Sequence, residues 1–184
     1  MKALLTFALV LMANLACAGS AEVARPSLYD LHEQLANQDG VSSGLDVHRG
    51  NKVLVTMFYG SCPATCPLII DTLRAVERKL DASQRADLRV LLISFDPERD
   101  TAAALRELAT SRRIDTRRWT LARADAATVR RIAAALEIQY RQLPGGEFSH
   151  ANVITVLGRD GEILARSTDL GSADENLVRA LASP

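Results

Sequence analysis

Residues 52–67 read KVLVTMFYGSCPATCP, an almost continuous apolar run followed by two thiols, Cys62 and Cys66. A run of this kind indicates a strand that is buried on both faces, as in a parallel or mixed sheet. Pro67 suits a first helical position. The apolar residues after it recur at helical spacing: Leu68, Ile69, Leu73, Val76 and Leu80. The two cysteines therefore lie where a buried strand is followed by a helix.

Strands and helices continue to alternate after this point. The predicted elements are a strand at 88–95, a helix capped by Asp100 or Thr101, a strand at 119–122, a helix opened by Asp125, a glycine-containing loop at 144–150, a β-hairpin at 152–166 and a closing helix at 174–181. This order predicts an α/β fold of the thioredoxin-like kind. We expect a central mixed β-sheet flanked by helices, with a C-terminal β-hairpin and helix.

Length and charge limit the possible functions. The 184 residues suffice for one domain with a proper core and are too few for two ordinary domains. The chain carries 22 basic and 22 acidic residues. Balanced charge of this kind gives no indication of nucleic acid or an anionic membrane surface as a partner.

The N-terminal residues have the pattern of an export signal. Lys2 precedes an apolar run at 3–13, and Ala16-Cys17-Ala18 resembles a signal-peptidase site. The run is shorter than the roughly 20 apolar residues that span a bilayer. We therefore predict a signal peptide at 1–18, an N-terminal arm at 19–45 with a short helix at 27–35, and a thioredoxin-like domain at 46–184. Lipidation of Cys17, which would give a periplasmic lipoprotein instead of a soluble periplasmic protein, is the alternative.

Export places Cys62 and Cys66 in an oxidising compartment. Both lie at the carboxyl end of the first buried strand, the edge of an open α/β sheet where ligands usually bind. Cys66 also lies at a helix start, where backbone N–H groups and the helix dipole stabilise a thiolate, so we expect a depressed pKa there. A plain stabilising disulfide is the alternative. It is disfavoured because closing so small a loop gains little chain entropy.

His150 is the third candidate ligand. In a thioredoxin-like topology, the loop before the final hairpin returns beside the cysteine loop, so Cys62, Cys66 and His150 could converge. Two thiolates and an imidazole suit Cu(I) and can adapt to Cu(II). Zinc is disfavoured because a closed structural zinc site needs a fourth protein ligand, and none is evident. His32 and His48 are interpreted as surface residues.

The chain resembles the Sco/SenC family from about Asp46 to its C-terminus. The resemblance rests on Cys62-x-x-x-Cys66-Pro67, on the DPERDT sequence at 96–101 and on the distal His150. It implies a copper-binding domain that faces the periplasm or the mitochondrial intermembrane space, with the two cysteines and the histidine as ligands. It also implies a role in assembling the binuclear copper centre of cytochrome c oxidase, as metallochaperone, thiol-disulfide reductase or both.

The implied partners are the copper-centre-bearing subunit of cytochrome c oxidase or another periplasmic cuproprotein, together with a copper donor or thiol reductant. The rival hypothesis is a thiol-disulfide oxidoreductase that uses Cys62 and Cys66 as a catalytic redox pair. His150 distinguishes the two hypotheses, because thiol-disulfide exchange does not need a third ligand. A peroxiredoxin-like peroxidase is disfavoured because the chain lacks a clear Pro-x-x-x-Thr-x-x-Cys motif. A non-catalytic binding module remains open.

Overall fold

A computed structural model describes residues 26–62 and 65–183 of the chain. The strands are β1 (Gln34–Asn37), β2 (Ser42–Gly44), β3 (Lys52–Phe58), β4 (Leu88–Ser94), β5 (Trp119–Arg123), β6 (Tyr140–Gln142), β7 (Phe148–His150), β8 (Ile154–Leu157) and β9 (Ile163–Ser167). The helices are α1 (Thr65–Lys79), α2 (Ala82–Asp87), α3 (Ala102–Ser111), α4 (Ala126–Ala135) and α5 (Glu175–Ala182), with short 3₁₀ helices at Leu28–Leu31 and Leu45–His48. The predicted signal peptide and Cys17 lie outside the described residues.

A mixed sheet of seven strands forms the centre of the fold, in the order β2-β1-β5-β4-β3-β8-β9. Strands β3, β4 and β5 run parallel, and the outer strands join them antiparallel. In the middle of β3, Leu54 pairs with Val90 on one side and with Val156 on the other. Because β3 has neighbours at both edges and apolar residues on both faces, all seven of its residues are buried.

Helices α3, α4 and α5 begin where the sequence predicts, whereas α1 begins at Thr65, before the predicted first helical position at Pro67. Helix α5 contacts β8, β9 and α1, and α3 contacts β5. The side chains of Thr101, Asp125 and Asp174 accept backbone hydrogen bonds at the starts of α3, α4 and α5, which confirms these residues as N-caps. None of the helices in the described part of the chain is long and apolar enough to cross a membrane.

The residues predicted as an N-terminal arm differ from expectation. The predicted helix at 27–35 is a single 3₁₀ turn at Leu28–Leu31, and β1 and β2 form an edge of the sheet next to β5. The turn between them depends on Asn37, whose Oδ1 accepts hydrogen bonds from the N–H groups of Asp39 and Val41 at 2.9 Å each. Gly40 takes a φ of 79° in the same turn. This asparagine turn makes a hairpin where the sequence suggested only a helix end.

Strands β3 and β4 end side by side, with Phe58 opposite Ser94. The backbone N–H of Phe95 then donates to the carbonyl of Phe58 at 2.9 Å. Residues 59–62, called here the cysteine turn, and residues 95–101, called the 95–101 loop, therefore leave the sheet next to each other. Residues 140–150, predicted to end in an irregular loop, form a separate two-stranded sheet of β6 and β7, called here the histidine hairpin.

We predict that Leu54→Ala lowers the free energy of unfolding by about 2 to 5 kcal/mol, since removing this fully buried side chain leaves a cavity in the core. Leu68→Ala removes the same atoms from a side chain that is 42 % exposed, and it is expected to cost about 1 kcal/mol or less. Urea denaturation of the two variants measures the difference. Equal losses would contradict the placement of β3 at the centre of the core.

Candidate metal centre

The carbonyl oxygen of Tyr59 links the cysteine turn to the start of α1. It accepts a hydrogen bond from the backbone N–H of Cys62 at 3.2 Å and one from Cys66 Sγ at 2.8 Å. Cys66 is the second residue of α1, which begins at Thr65. The two cysteine side chains also interact with each other, and they do not form a disulfide. The strand-to-helix connection thus holds two reduced thiols in contact.

The side chain of Tyr59 connects the cysteines to the histidine hairpin. It interacts with the Cys62 side chain and with the backbone of Phe148. Its ring centroid lies 5.3 Å from that of Phe148 and 5.9 Å from that of His150, with the imidazole edge-on at 89°. The Phe95 ring, on the 95–101 loop, lies 4.9 Å from the His150 ring. A buried aromatic side chain therefore contacts both the thiol pair and the hairpin that carries the third candidate ligand.

His150 is the last residue of β7, where it pairs with Tyr140 across the hairpin. Its ring is half-buried, and Nδ1 lies 3.3 Å from the carbonyl oxygen of Ala151. At the other end of the hairpin, Gly145 and Gly146 have φ values of 104° and 86°, which favour glycine. The sequence suggested that His150 lies in an exposed loop. The structure instead places it in a paired strand with aromatic contacts, which fix its position more firmly than a loop would.

Asp100 fixes the cysteine turn from the 95–101 loop. Its Oδ2 accepts a hydrogen bond from the backbone N–H of Gly60 at 2.9 Å and another from the Ser94 hydroxyl. A Cβ atom on Gly60 would lie 2.6 Å from Asp100 Oδ1, so the close approach requires glycine. Burial raises the pKa of Asp100. Asp100 thus supports the turn before Cys62, while Thr101 caps α3.

Tyr59 and Gly60 are site residues that the sequence analysis missed. Their position between the buried strand and the first cysteine could have identified them, because residues at this position have to form the turn that leads to Cys62. Tyr59 contacts Phe148 and His150, which lie about 90 positions away, so the local sequence does not show these contacts.

The three predicted ligands lie in one region but do not form a ready-made metal site. Within residues 26–62 and 65–183, no three His, Cys, Asp or Glu side chains lie close enough together to hold a metal ion. Cys62 and Cys66 are in contact with each other. His150 instead contacts Tyr59, whose side chain in turn contacts Cys62. The joint ligation of a metal by Cys62, Cys66 and His150 therefore stays a prediction.

Burial controls the acidity of Cys66. The residue is 3 % exposed, and even Cys62 in the turn is only 8 % exposed. Loss of hydration disfavours the thiolate and raises the pKa of Cys66 to about 12. The prediction of a depressed pKa at this helix terminus is wrong, because the cost of removing the thiolate from water exceeds the stabilisation by the helix dipole.

The histidines differ in their surroundings. Burial lowers the pKa of His150, so its imidazole is neutral at neutral pH and able to act as a metal ligand. His32 is exposed, as expected. His48 is half-buried, and burial lowers its pKa as well. Neither His32 nor His48 joins a group of potential metal ligands in the described part of the chain.

Comparison with known proteins identifies the family. The SCO1/SenC family profile matches residues 25–183, which includes the cysteine turn, the 95–101 loop and the histidine hairpin. The chain belongs to the SCO1/SenC family. The match also includes β1 and β2, which lie before the limit of about Asp46 that the sequence resemblance suggested.

Individual SCO1/SenC proteins are similar along most of their length. The SCO1 protein homolog of Bacillus subtilis is 25 % identical over 164 residues, which cover 87 % of this chain and 84 % of that protein. The structure of Bradyrhizobium japonicum ScoI with copper bound has a TM-score of 0.67 at 21 % identity and covers 80 % of this chain and 94 % of ScoI. BsSco, a member of the Sco family of cytochrome c oxidase assembly proteins with a disulfide switch, has a TM-score of 0.67 at 20 % identity. The match covers 82 % of this chain and 91 % of BsSco. The thioredoxin-like fold is thereby confirmed.

We predict that Cys66 stays protonated at the pH where free cysteine, with a pKa near 8.5, is half ionised. Cys62→Ser in the reduced, metal-free protein without residues 1–18 leaves Cys66 as the single thiol. Its thiolate absorbance in the ultraviolet is expected to rise only at a pH well above the pKa of free cysteine, because burial, the largest cause of the raised pKa of Cys66, is unchanged in this variant. An apparent pKa below that of free cysteine would show that the helix terminus outweighs burial.

Proposed function

We propose that this SCO1/SenC protein binds copper through Cys62, Cys66 and His150 and acts in assembling the binuclear copper centre of cytochrome c oxidase. The observation that carries the proposal is a pair of reduced thiols in contact, linked by Tyr59 to a neutral imidazole. Thiolate sulfur and imidazole nitrogen form a soft donor set that suits copper. The copper bound by ScoI and the oxidase-assembly family of BsSco support the assignment.

Copper uptake by this donor set is coupled to proton release. Because burial raises the pKa of Cys66, this thiol keeps its proton at neutral pH until a metal displaces it. The His150 imidazole is already neutral and needs no deprotonation. Copper binding therefore strengthens as the pH rises, by about tenfold per pH unit for each thiol proton released.

A three-ligand site requires a local movement of His150 toward the thiols, since the described geometry does not hold all three ligands together. The ring lies at the end of a hairpin strand and contacts Tyr59 edge-on. Movement of the imidazole past the tyrosine ring would bring its nitrogen to the cysteine pair while the main sheet stays unchanged. We propose this rearrangement as the step that completes the site.

We also propose that the mature protein works in the periplasm. The basic start, the apolar run at 3–13 and the small residues around Cys17 support export. Lipidation of Cys17 would keep the domain at the membrane surface, close to a membrane-bound oxidase. The acceptor is the copper-bearing oxidase subunit or another periplasmic cuproprotein.

Thiol-disulfide exchange is the second candidate function, favoured by the contact between Cys62 and Cys66. One of the two thiols would lose its proton and attack a disulfide of the partner, which gives a mixed disulfide and releases one partner thiolate. The other cysteine would then displace the second partner sulfur. The partner's disulfide would be reduced to two thiols while Cys62 and Cys66 become a disulfide, so a separate reductant has to restore the pair.

We predict that the reduced protein without residues 1–18 binds one copper ion per chain. Oxidation to the Cys62–Cys66 disulfide is expected to abolish this binding, because it removes both thiolates. Metal analysis after desalting measures the stoichiometry of the two forms, and the Cys62→Ser, Cys66→Ser double variant controls for the loss of both thiols without oxidation. Equal copper uptake by the oxidised and reduced forms would rule out the proposed ligands.

His150→Ala separates the two candidate functions. We expect it to weaken Cu(II) binding severely, since one of three ligands is lost, and to leave the rate of disulfide reduction by dithiothreitol similar to that of the wild type. His32→Ala is the matched control, because it removes an exposed imidazole from outside the site. If His150→Ala disables thiol exchange and spares copper binding, the oxidoreductase hypothesis replaces the copper one.

A further inference from the structure

Arg99 joins the 95–101 loop to the tip of the histidine hairpin. Its Nη2 donates a hydrogen bond to the carbonyl oxygen of Gly146, and its Nε donates to the carboxylate of Asp96. Its guanidinium carbon lies 5.9 Å from the centroid of the Phe148 ring, within the range of a cation–π contact. A single side chain therefore contacts the loop, the hairpin tip and an aromatic residue of β7.

The loop end of this contact is firmly held. The Asp96 side chain is 5 % exposed, and its backbone N–H donates to Ser94 Oγ at 2.9 Å. The backbone N–H groups of Arg99 and Asp100 both donate to the carbonyl oxygen of Asp96, at 3.2 and 2.9 Å. Asp100 in turn holds the N–H of Gly60 in the cysteine turn. The same short loop thus supports the turn before Cys62 and the tip of the histidine hairpin.

The hairpin has little support from backbone pairing. Strands β6 and β7 pair with each other and stand apart from the seven-stranded sheet. They have three residues each, and an isolated two-stranded hairpin is at best marginally stable in water. Its position therefore depends on side-chain contacts such as those of Tyr59 and Arg99.

We propose that Arg99 is a positioning residue for the metal site, which holds the histidine hairpin on the 95–101 loop so that His150 stays beside the cysteine turn. This inference rests on the proposed copper function. When the hairpin is released, the docked arrangement, from which His150 reaches the thiols by the local movement proposed above, is populated for only part of the time. Apparent copper affinity falls by the same fraction.

The guanidinium is suited to this task in a way that an ammonium is not. Its planar fork donates to Asp96 through Nε and to the Gly146 carbonyl through Nη2 at the same time. A lysine at this position carries the same charge but a single nitrogen, so it neutralises the buried Asp96 carboxylate without also reaching the hairpin tip. Arg99→Lys therefore separates hairpin positioning from charge balance inside the loop.

The first test uses the reduced, metal-free protein without residues 1–18. Arg99→Ala is expected to speed amide hydrogen exchange about tenfold at Gly146 and Ala151, as the docked hairpin becomes a minor state. Arg99→Lys is expected to do the same while keeping a melting temperature close to that of the wild type. Arg141→Ala removes an exposed guanidinium on the hairpin that makes no hydrogen bond or ion pair with the described residues, and it is expected to leave exchange unchanged.

The second test is Cu(II) titration of the same reduced variants. Arg99→Ala and Arg99→Lys are expected to weaken Cu(II) binding about tenfold while the spectrum of the saturated protein stays that of the wild type, because the ligands are the same. In a His150→Ala background, Arg99→Ala is expected to have no further effect on affinity. This double-mutant cycle shows whether Arg99 affects copper binding through His150.

The outcomes distinguish this inference from the copper function itself. If His150→Ala binds Cu(II) as tightly as the wild type, the proposed ligand set is wrong, and the hydrogen-exchange result still tests whether Arg99 holds the hairpin. If His150→Ala weakens binding but both Arg99 variants keep wild-type exchange and affinity, the positioning role is overturned. An equal loss of affinity from Arg99→Ala with and without His150 also overturns it.

Discussion

The parallel pairing of β3 with β4 is the constraint on which the site depends. The two strands are in register over their full length, from Lys52 opposite Leu88 to Phe58 opposite Ser94. Both strands are buried on both faces, so a one-residue slip in register would turn each side chain to the opposite face, where it does not fit the packed core. Because the strands end together, the cysteine turn and the 95–101 loop start as neighbours. Residues more than 30 positions apart in the chain thereby become parts of one site.

A short series of contacts extends this arrangement to the third candidate ligand. Asp100 holds the turn at Gly60, Tyr59 contacts Cys62 and His150, and the hairpin brings the imidazole to the aromatic cluster. The site is mostly buried, which keeps the Cys66 thiol protonated and the histidine neutral. The candidate ligands are therefore uncharged, and a metal that favours sulfur would have to supply the driving force for deprotonation of the thiols.

Much of the fold could be predicted from the sequence because its signals are local. The apolar run of β3 and the caps Thr101, Asp125 and Asp174 act within a few residues of themselves. Strands β1, β2, β6 and β7 could not be predicted in this way, since they have three or four residues each and no sustained apolar alternation. Their pairing depends on turns and on distant aromatic contacts. The acidity of Cys66 was mispredicted for the same reason, because its burial is a property of the packed protein.

X-ray absorption spectroscopy of the copper-loaded, reduced protein tests whether Cys62, Cys66 and His150 bind copper together. We expect joint ligation, with two sulfur ligands and one imidazole nitrogen around the metal and with the nitrogen contribution lost in His150→Ala. Coordination by sulfur alone in the wild type, or by nitrogen and oxygen without sulfur, would contradict it.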